Sequence, residues 1–504
     1  MAVTACTLPR EALGQWRDLL GVDRVLSDAA TRQRYGRTTL SHAPSTRAVL
    51  RPERADQIPG LLRIARAHGV SLYPISRGRN WGWGEACPVT EGQVVVDLGD
   101  LDRILEINAE LGYAVVEPGV TQGQLVQALT ADAPEWWLES TNAGAQTSIV
   151  GNTLERGLGM GDRTASMCGL EVVLPDGEIV RTGFGAFPNS RVTHLAKWGV
   201  GPNIEGLFSQ SNLGVVTRMG IWLMPRPEGA ECCLFSVDDT ALPGLVDALR
   251  PFRLRGVLPT NVHVFPVPGT DGRRRWLAVG AIYGSAAARS SFRGTLQTVA
   301  KGLGNTLFFE TPPEDIDGAL RELGVLRTSG TEDLFRAGDA LCTGEPFSPG
   351  PAFLLGYVGG SEVQKPVREP ASADPLENDY GFYFLWATCP ATGRDVADAV
   401  ELVTTTIEGA AFRPQLTIQL PNGRAAVLVI RVCFNRKDRQ ERERARRCYH
   451  AVLEATVAAG FPPWRLGVEG MRLLDDDGVD MALPRRLKAL MDPTGVLAPG
   501  RYVW

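Results

Sequence analysis

A glycine-rich run with two arginines and two tryptophans carries the clearest chemical signal in this sequence. It follows the extended apolar run 70–75 and spans Ser76–Gly84, with the letters SRGRNWGWG. Glycines at this density let backbone N–H groups turn inward and approach a ligand closely, which is a common way to hold phosphate. The arginines and indole rings among them indicate a ligand with both charge and a flat ring. A glycine-rich turn between two strands is the alternative interpretation.

Three more segments combine glycine with polar residues. Residues 116–121 read VEPGVT, and Thr121 is placed to cap a helix over 122–129. Residues 143–161 contain five glycines around Asn152, Glu155 and Arg156, and residues 208–217 read FSQSNLGVVT. The tail 491–501, MDPTGVLAPGR, predicts an ordered closing element.

The elements that would position these residues form an α+β pattern. Helical spacing is clear over 10–20 and 55–68, and short β-branched runs lie at 94–98, 104–107 and 114–120. Residues 170–182 predict a hairpin with a tight turn at Asp176-Gly177. The regular strand–helix alternation of a dinucleotide Rossmann domain is absent, and neither G-x-G-x-x-G nor the P-loop motif is present.

The length of the chain and a proline-rich segment near its middle predict more than one domain. A chain of 504 residues exceeds one ordinary domain. The proline-rich stop Pro225–Pro227 is the best candidate boundary, and longer helices and strands follow it, the first of them a helix predicted over 239–250. The Pro- and Gly-rich stretch 344–375 is predicted to be loop.

Charge and cysteine usage exclude several classes of protein. The net charge of −5 argues against nucleic-acid binding, and the basic run 436–447 is interleaved with acidic residues, as on a solvated helix face. Nine scattered cysteines without a CxxC pair predict neither a disulfide scaffold nor a metal site. The sequence shows no signal-peptide core and no apolar run long enough to span a membrane, so we expect a soluble, cytoplasmic protein.

Taken together, the segments resemble the vanillyl-alcohol oxidase / p-cresol methylhydroxylase family of FAD enzymes. The most specific pieces are 74–80 (PISRGRN), 116–121 and 151–157 (GNTLERG). Residues 170–183, 201–214 and 492–500 follow in the family's order, so the resemblance covers nearly the whole chain.

The resemblance implies a bipartite α+β fold: an FAD-binding domain over 1–227, an α/β cap (substrate) domain over 228–460 and a C-terminal return over 461–504. It implies that the first glycine loop wraps the FAD pyrophosphate and that Arg501 reaches the isoalloxazine. The residues that it implies for cofactor binding are Pro74, Ser76, Arg77, Gly78, Arg79, Asn80, Trp81, Gly82, Gly84, Pro118, Gly119, Val120, Thr121, Gly151, Asn152, Glu155, Gly157, Val216 and Arg501.

The sequence departs from the family at the substrate. Members that act on para-substituted phenols hold the phenolate oxygen with two tyrosines and an arginine, and the matching positions here are Trp83, Trp464 and Arg465. The arginine is kept and can pair with a phenolate or with a substrate carboxylate. Tryptophan offers a stacking face and one N–H donor, so an aromatic substrate remains the expectation. We take these three as the candidate catalytic residues.

Two further departures concern the flavin. Oxidase members place an aspartate near flavin N5, but residues 140–145 contain no carboxylate, so no general base is assigned. Many members bond the flavin to a histidine or tyrosine of a cap strand, and the matching strand 425–434 contains neither. The FAD is therefore predicted to be bound non-covalently, with His42 as the fallback tether.

Two functions follow from these observations. The first is a flavin-dependent oxidase or dehydrogenase that takes hydride from a benzylic-type carbon of a para-substituted phenol. Its quinone-methide-like product would then be hydroxylated, lose a proton or lose carbon dioxide, and oxygen or an electron-transfer protein would reoxidise the flavin. The second is a non-redox scaffold or binding protein, with or without FAD. Relatives often form dimers, so a homodimer is a further expectation.

Overall fold

The computed structural model describes residues 8–42, 44–347, 374–476 and 478–503. Most of the predicted loop 344–375 lies outside these residues. The described residues form three larger β-sheets, a two-stranded ribbon and flanking helices, and the α+β prediction is confirmed.

The N-terminal sheet holds the first glycine loop. Its strands, in the order β1-β2-β4-β3, are β1 (Val25–Leu26), β2 (Val49–Leu50), β4 (Val94–Asp97) and β3 (Leu72–Ile75). Strands β2, β3 and β4 run parallel. Helices α1 (Arg10–Leu20), α2 (Ala29–Tyr35) and α3 (Ile58–Ala67) accompany the sheet. The apolar stripe of α3, including Leu61, Leu62 and Ala65, packs with Leu72 and Val94 in one buried cluster. The glycine loop begins where β3 ends.

The second sheet is antiparallel and has five strands. In spatial order these are β5 (Ile104–Asn108), β6 (Tyr113–Val116), β10 (Val215–Trp222), β8 (Met167–Val173) and β9 (Ile179–Arg181). Strands β8 and β9 form the predicted hairpin around Gly177, whose φ of 89° favours glycine. Helices α4 (Gln122–Asp132) and α5 (Ile149–Leu154) join this sheet, and a small ribbon pairs β7 (Trp136–Trp137) with β11 (Met224–Pro225).

An antiparallel sheet of eight strands begins after the proline-rich stop. In spatial order the strands are β15 (Gly304–Phe309), β12 (Ala230–Asp238), β14 (Arg274–Tyr283), β13 (Val262–Pro268), β17 (Gln415–Leu420), β18 (Ala425–Asn435), β16 (Tyr380–Pro390) and β19 (Pro463–Arg465). The helices of this region are α6 (Leu242–Leu254), α7 (Ala286–Ala300), α8 (Ile316–Glu322), α9 (Ser329–Thr343), α10 (Gly393–Gly409) and α11 (Arg439–Ala458). We call this eight-stranded sheet the cap sheet.

Alternation along the central cap strands gives each strand two different faces. On β18, Leu428, Ile430 and Val432 pack into the large core that also holds residues of α10 and α11. The intervening Val427 and Val429 belong to another cluster, together with Trp386 of β16. The side chains of this second face point toward the glycine-rich loops.

The C-terminal tail returns to the N-terminal sheet after helix α12 (Ala482–Met491). The Leu72 N–H donates to the Val496 carbonyl at 2.7 Å, and the Ala498 N–H donates to the Leu72 carbonyl at 2.7 Å. The buried Lys488 ammonium holds the turn by donating to Asp492 at 2.7 Å and to the carbonyls of Asn212 and Leu497. The division at residues 227 and 460 stays a prediction, and β19 at 463–465 still belongs to the cap sheet.

Candidate active site

A cavity of about 340 Å³ lies where the glycine loops, the tail and the cap sheet meet. Its walls come from the loop after β3, from α5, from the segment before β10, from the tail and from the second face of the cap sheet. Among the predicted site residues, those that line it are Pro74, Ser76, Arg77, Gly78, Arg79, Asn80, Trp81, Trp83, Gly151, Asn152, Glu155, Gly157, Val216, Arg465 and Arg501.

The glycine loop after β3 divides into a lining part and a packing part. Residues 74–81 line the cavity. Gly82 has a φ of 77°, and a Cβ added there would lie 2.4 Å from Phe384. Gly84 has a φ of 119°, and a Cβ added there would lie 2.7 Å from Val468. These two glycines therefore let the loop pack closely under neighbouring side chains.

Glu85 anchors this loop and was not singled out in the sequence. Its carboxylate is 4% exposed and accepts from the Thr39 hydroxyl at 2.6 Å, from the Thr38 hydroxyl and from the Gly82 N–H at 3.2 Å. Burial raises the pKa of Glu85 to about 7, against the opposing effect of these hydrogen bonds.

The segment Pro118–Thr121 supports the cavity wall from behind. The Pro118 carbonyl accepts from the Ser148 hydroxyl at 2.6 Å, and the Gly119 carbonyl accepts from Arg77 Nε at 2.6 Å. Thr121 caps α4, as its sequence context predicted. Pro118, Gly119, Val120 and Thr121 are not among the residues that line the cavity in the described part of the chain.

Close backbone approaches shape the wall around α5. A Cβ on Gly151 would lie 3.0 Å from the Ser76 hydroxyl oxygen, and one on Gly157 would lie 2.0 Å from Asn152 Oδ1. A side chain at position 157 would therefore force Asn152 to move, whereas one at position 151 would need only a small shift of Ser76.

Glu155 joins two buried arginines. Arg501 Nη2 donates to Glu155 Oε1 at 2.5 Å, and Arg465 Nη2 donates to Glu155 Oε2 at 3.3 Å and to Asn80 Oδ1 at 2.8 Å. The Tyr502 hydroxyl donates to Glu155 Oε2 at 2.6 Å. Burial alone would raise the pKa of Glu155, but the charges of Arg501 and Arg465 outweigh it and the pKa is lowered. The carboxylate stays ionised and fixes both guanidinium groups.

The two candidate tryptophans have different surroundings. The Trp83 ring is buried under the Arg465 guanidinium at 4.4 Å, stacks with Phe384 at 5.9 Å and meets Trp386 edge-on at 5.6 Å. Trp464 instead donates its indole N–H to the Arg156 carbonyl at 2.9 Å. Arg156 covers the Trp464 ring at 4.0 Å. Trp464 is not among the described residues that line the cavity.

The second face of the cap sheet supplies cavity residues that the sequence reasoning missed. They are His263, Phe265, Phe384, Trp386, Thr417, Gln419, Val429 and Arg431. Burial lowers the pKa of His263 to about 4, so its imidazole is neutral near pH 7. His42, the fallback tether, is exposed and is not among these residues.

Polar atoms in the cavity wall fit a flavin nucleotide. Arg501 Nη1, Arg465 Nε and Asn212 Oδ1 are buried and have no hydrogen-bond partner among the described residues. Groups of this kind are normally satisfied. Two guanidinium donors, an amide and a glycine-lined wall match the polar ring edge and phosphates of FAD.

Comparison with known proteins decides the family. Residues 46–183 match the FAD binding domain family, and residues 423–502 match the C-terminal domain of FAD linked oxidases. The 1'-carboxy-chondrochloren decarboxylase of Chondromyces crocatus is 32% identical, over 98% of both chains. The chain belongs to the vanillyl-alcohol oxidase / p-cresol methylhydroxylase family.

A second relative in sequence and a solved structure support the same family. The 4-cresol dehydrogenase [hydroxylating] flavoprotein subunit of Pseudomonas putida is 28% identical, over 97% of this chain and 95% of its own. The crystal structure of p-cresol methylhydroxylase with substrate bound superposes with a TM-score of 0.84 at 26% identity, over 98% of this chain and 96% of its own.

As a member of this family, the protein is a flavin-dependent oxidase or dehydrogenase with FAD as its cofactor, as the sequence predicted. Among the described residues, no cluster of three or more His, Cys, Asp or Glu side chains could hold a metal ion. No helix in the described ranges is long and apolar enough to cross a membrane.

Proposed function

We propose that the protein oxidises a para-substituted phenol at the benzylic carbon of its side chain. The observation that carries this proposal is the position of Arg465 in an aromatic-walled part of the cavity. Its guanidinium lies over Trp83 and is fixed by Asn80 and Glu155. A fixed cation stabilises the negative charge of a phenolate, and a phenolate pushes electrons toward its para carbon.

Bound FAD supplies the two-electron oxidation by accepting hydride from the substrate. The residues of the chain bind and orient the two molecules. We assign Arg501 and residues 76–81 to FAD, Arg465 to the phenolate, and Trp83, Phe384 and Trp386 to the substrate ring. Glu155 helps to position both FAD and the substrate, because it forms ion pairs with Arg501 and with Arg465.

The replacement of both family tyrosines has a chemical consequence. Trp83 adds a stacking face but no hydroxyl at the phenolate, and the Trp464 N–H is committed to the Arg156 carbonyl. Arg465 therefore carries the charge stabilisation without hydroxyl donors at those two positions. We expect substrates whose phenol is acidic enough to ionise easily to be favoured.

The experiment is anaerobic titration of the FAD-loaded protein with 4-ethylphenol and 4-propylphenol. We expect the yellow flavin absorbance to bleach. Arg465→Met should lower kcat/KM by about 100-fold, in line with the loss of one fixed charged donor. A protein that binds these phenols without bleaching would be the non-redox binding protein considered as the alternative.

The same preparation tests the remaining partners. We infer that oxygen or an electron-transfer protein reoxidises the flavin. Admission of air to the bleached sample should restore the yellow band within the assay if oxygen serves, whereas a persistently bleached sample requires a protein acceptor. Light scattering of the purified protein tests the predicted homodimer.

A further inference from the structure

A group of uncharged polar side chains lines the cavity on strands β13 and β17 of the cap sheet. They are Thr417 and Gln419 of β17 and His263 of β13. Thr417 and Gln419 are two residues apart and therefore share one face of their strand. Gln419 lies directly opposite His263, and Cβ atoms of such a pair are about 5 Å apart. We call these three residues the neutral polar site.

The amide of Gln419 is held from one side only. Its Oε1 accepts from Nδ2 of the buried Asn261 at 2.8 Å. Its Nε2 donates to no group of the described residues, although the side chain is only 9% exposed. Buried polar groups are normally hydrogen-bonded. The amide therefore offers the cavity N–H donors that a ligand acceptor can satisfy.

His263 and Thr417 add an acceptor and further donors to this site. Burial lowers the pKa of His263 to about 4, so near pH 7 one ring nitrogen donates and the other accepts. The Thr417 hydroxyl can do either. Neither side chain forms a hydrogen bond with the described part of the chain, and His263 stacks on Phe265 at 6.1 Å. Both side chains are available to a ligand.

The neutral polar site contains no charged side chain of its own. Arg431 of the adjacent strand β18 also lines the cavity, but it already has an interaction partner within the protein. Glu155 is held by the guanidinium groups of Arg465 and Arg501. A charged ligand group would therefore lose its water at this site without gaining an ion pair. The site suits a group that is polar and uncharged.

The strand order places this site at the far end of a row that begins at Arg465. Arg465 pairs with Trp386 across the cap sheet. Trp386 pairs with Val429, and Val429 pairs with Thr417. Three inter-strand spacings, roughly 14 Å, separate the backbones at the two ends of the row. A phenol whose oxygen lies at Arg465 and whose ring contacts Trp386 would extend its para side chain past Val429 toward Thr417.

We propose that the neutral polar site binds a carboxamide on the para side chain of the phenolic substrate, whose carbonyl accepts from Gln419 and whose N–H donates to His263. This inference rests on the function proposed above and names the substrate class. A carboxamide carries its acceptor and its donor on separate atoms, so it can use Gln419 on one strand and His263 on the next at the same time. An ester or a ketone supplies the acceptor alone.

The test compares three ligands of similar shape: 3-(4-hydroxyphenyl)propanamide, 3-(4-hydroxyphenyl)propanoate and 4-propylphenol. Anaerobic reduction of the FAD-loaded protein gives the half-saturating concentration of each. In the native chain, that of the propanamide should be about 5- to 10-fold lower than that of 4-propylphenol, the effect of one or two hydrogen bonds. The propanoate should need a higher concentration than the propanamide, because the site offers its charge no partner.

Two variants remove the hydrogen-bonding groups while keeping the size of the side chains. Gln419→Met removes the amide, and His263→Phe removes both ring nitrogens. Each should raise the half-saturating concentration of the propanamide about 5- to 10-fold and leave that of 4-propylphenol nearly unchanged. A general disturbance of the fold would instead affect both ligands. Gln297→Met, on the exposed face of α7, is the matched control and should change neither value.

Equal half-saturating concentrations for the propanamide and 4-propylphenol in the native chain would overturn the carboxamide site and leave the proposed oxidation intact. The same holds if the propanoate saturates at a lower concentration than the propanamide, or if neither variant shifts the propanamide selectively. If none of the three ligands bleaches the native protein, the proposed oxidation fails, and calorimetric titration then decides on the site. Tighter binding of the propanamide that is lost in Gln419→Met supports the site, and equal or absent binding overturns it.

Discussion

Glu155 shows how a single carboxylate can organise a whole site. It lies between the guanidinium groups of Arg465 and Arg501 and also accepts from the Tyr502 hydroxyl. Both arginines are 6% exposed, so neither has bulk water as a substitute partner. The stability of this part of the protein therefore depends on one negative charge.

Glu155→Gln removes that charge and leaves two buried cations facing each other. We expect the free energy of unfolding to fall by about 3–5 kcal/mol, the cost of breaking a buried ion pair. Urea denaturation followed by tryptophan fluorescence measures it. Tyr502→Phe, which removes the hydroxyl that donates to Glu155 but no charge, is the control and should cost about 1 kcal/mol. Similar losses in the two variants would contradict the charge argument.

Glu85 gives the stability a pH dependence of its own. Its folded-state pKa of about 7 lies above the ordinary glutamate pKa of 4.5. The unfolded state therefore loses this proton first as pH rises, and the stability from protonated Glu85 is present below about pH 4.5 and declines up to about pH 7. Thermal melts should show Glu85→Gln gaining in Tm relative to the native chain between pH 5 and pH 8. A constant difference would show that Glu85 is already ionised at the lower pH.

The close packing of the first glycine loop beneath the cap sheet depends on the glycine at position 82. Its φ of 77° disfavours a side chain, and a Cβ added there would lie only 2.4 Å from Phe384. Gly82→Ala should cost about 2–4 kcal/mol and loosen FAD, because strain and a clash combine. Chemical denaturation and FAD release measure the two effects. Gly14→Ala is the matched control, since it lies in α1 with open space around it and should stabilise by about 0.5–1 kcal/mol.

The first glycine loop, the β8–β9 hairpin and the cap of α4 were predictable because each depends on a few residues that are adjacent in the sequence. Gly78 needs a left-handed backbone, Asp176-Gly177 makes a tight turn, and Thr121 caps the helix that follows it. Helix α6 shows the limit of such reasoning. It was predicted over 239–250 but spans Leu242–Leu254, because a short turn occupies 239–241 and Pro243 favours the first helical turn.

The polar face of the cap sheet was not predictable from local sequence. His263 lies on a strand that is far in the chain from the strands of Thr417 and Arg431, and the order β13-β17-β18 brings all three to one wall. Arg431 did leave a trace, since it is a charged residue inside the apolar run 425–434. Glu155 was predicted as a cofactor residue, but its pairing with Arg465 and Arg501 requires the fold of the complete chain.

For the whole molecule, the attachment of FAD remains a prediction that is simple to test. The cap strand β18 contains no His or Tyr, and His42 is exposed. Acid precipitation should release all flavin into the supernatant. A yellow pellet would contradict non-covalent binding. His263→Ala and His42→Ala would then identify the tether, since His263 is the histidine that lines the described cavity.

The pairing of β3 with the tail has a consequence for biosynthesis. Leu72, one strand before the first glycine loop, is held by Val496 and Ala498, and Arg501 follows three residues after Ala498. A ribosome makes the N-terminal partner first and the C-terminal partner last. The cofactor site is therefore incomplete until residues 496–501 have been made and have paired with β3, so the first part of the site to be synthesised waits for one of the last.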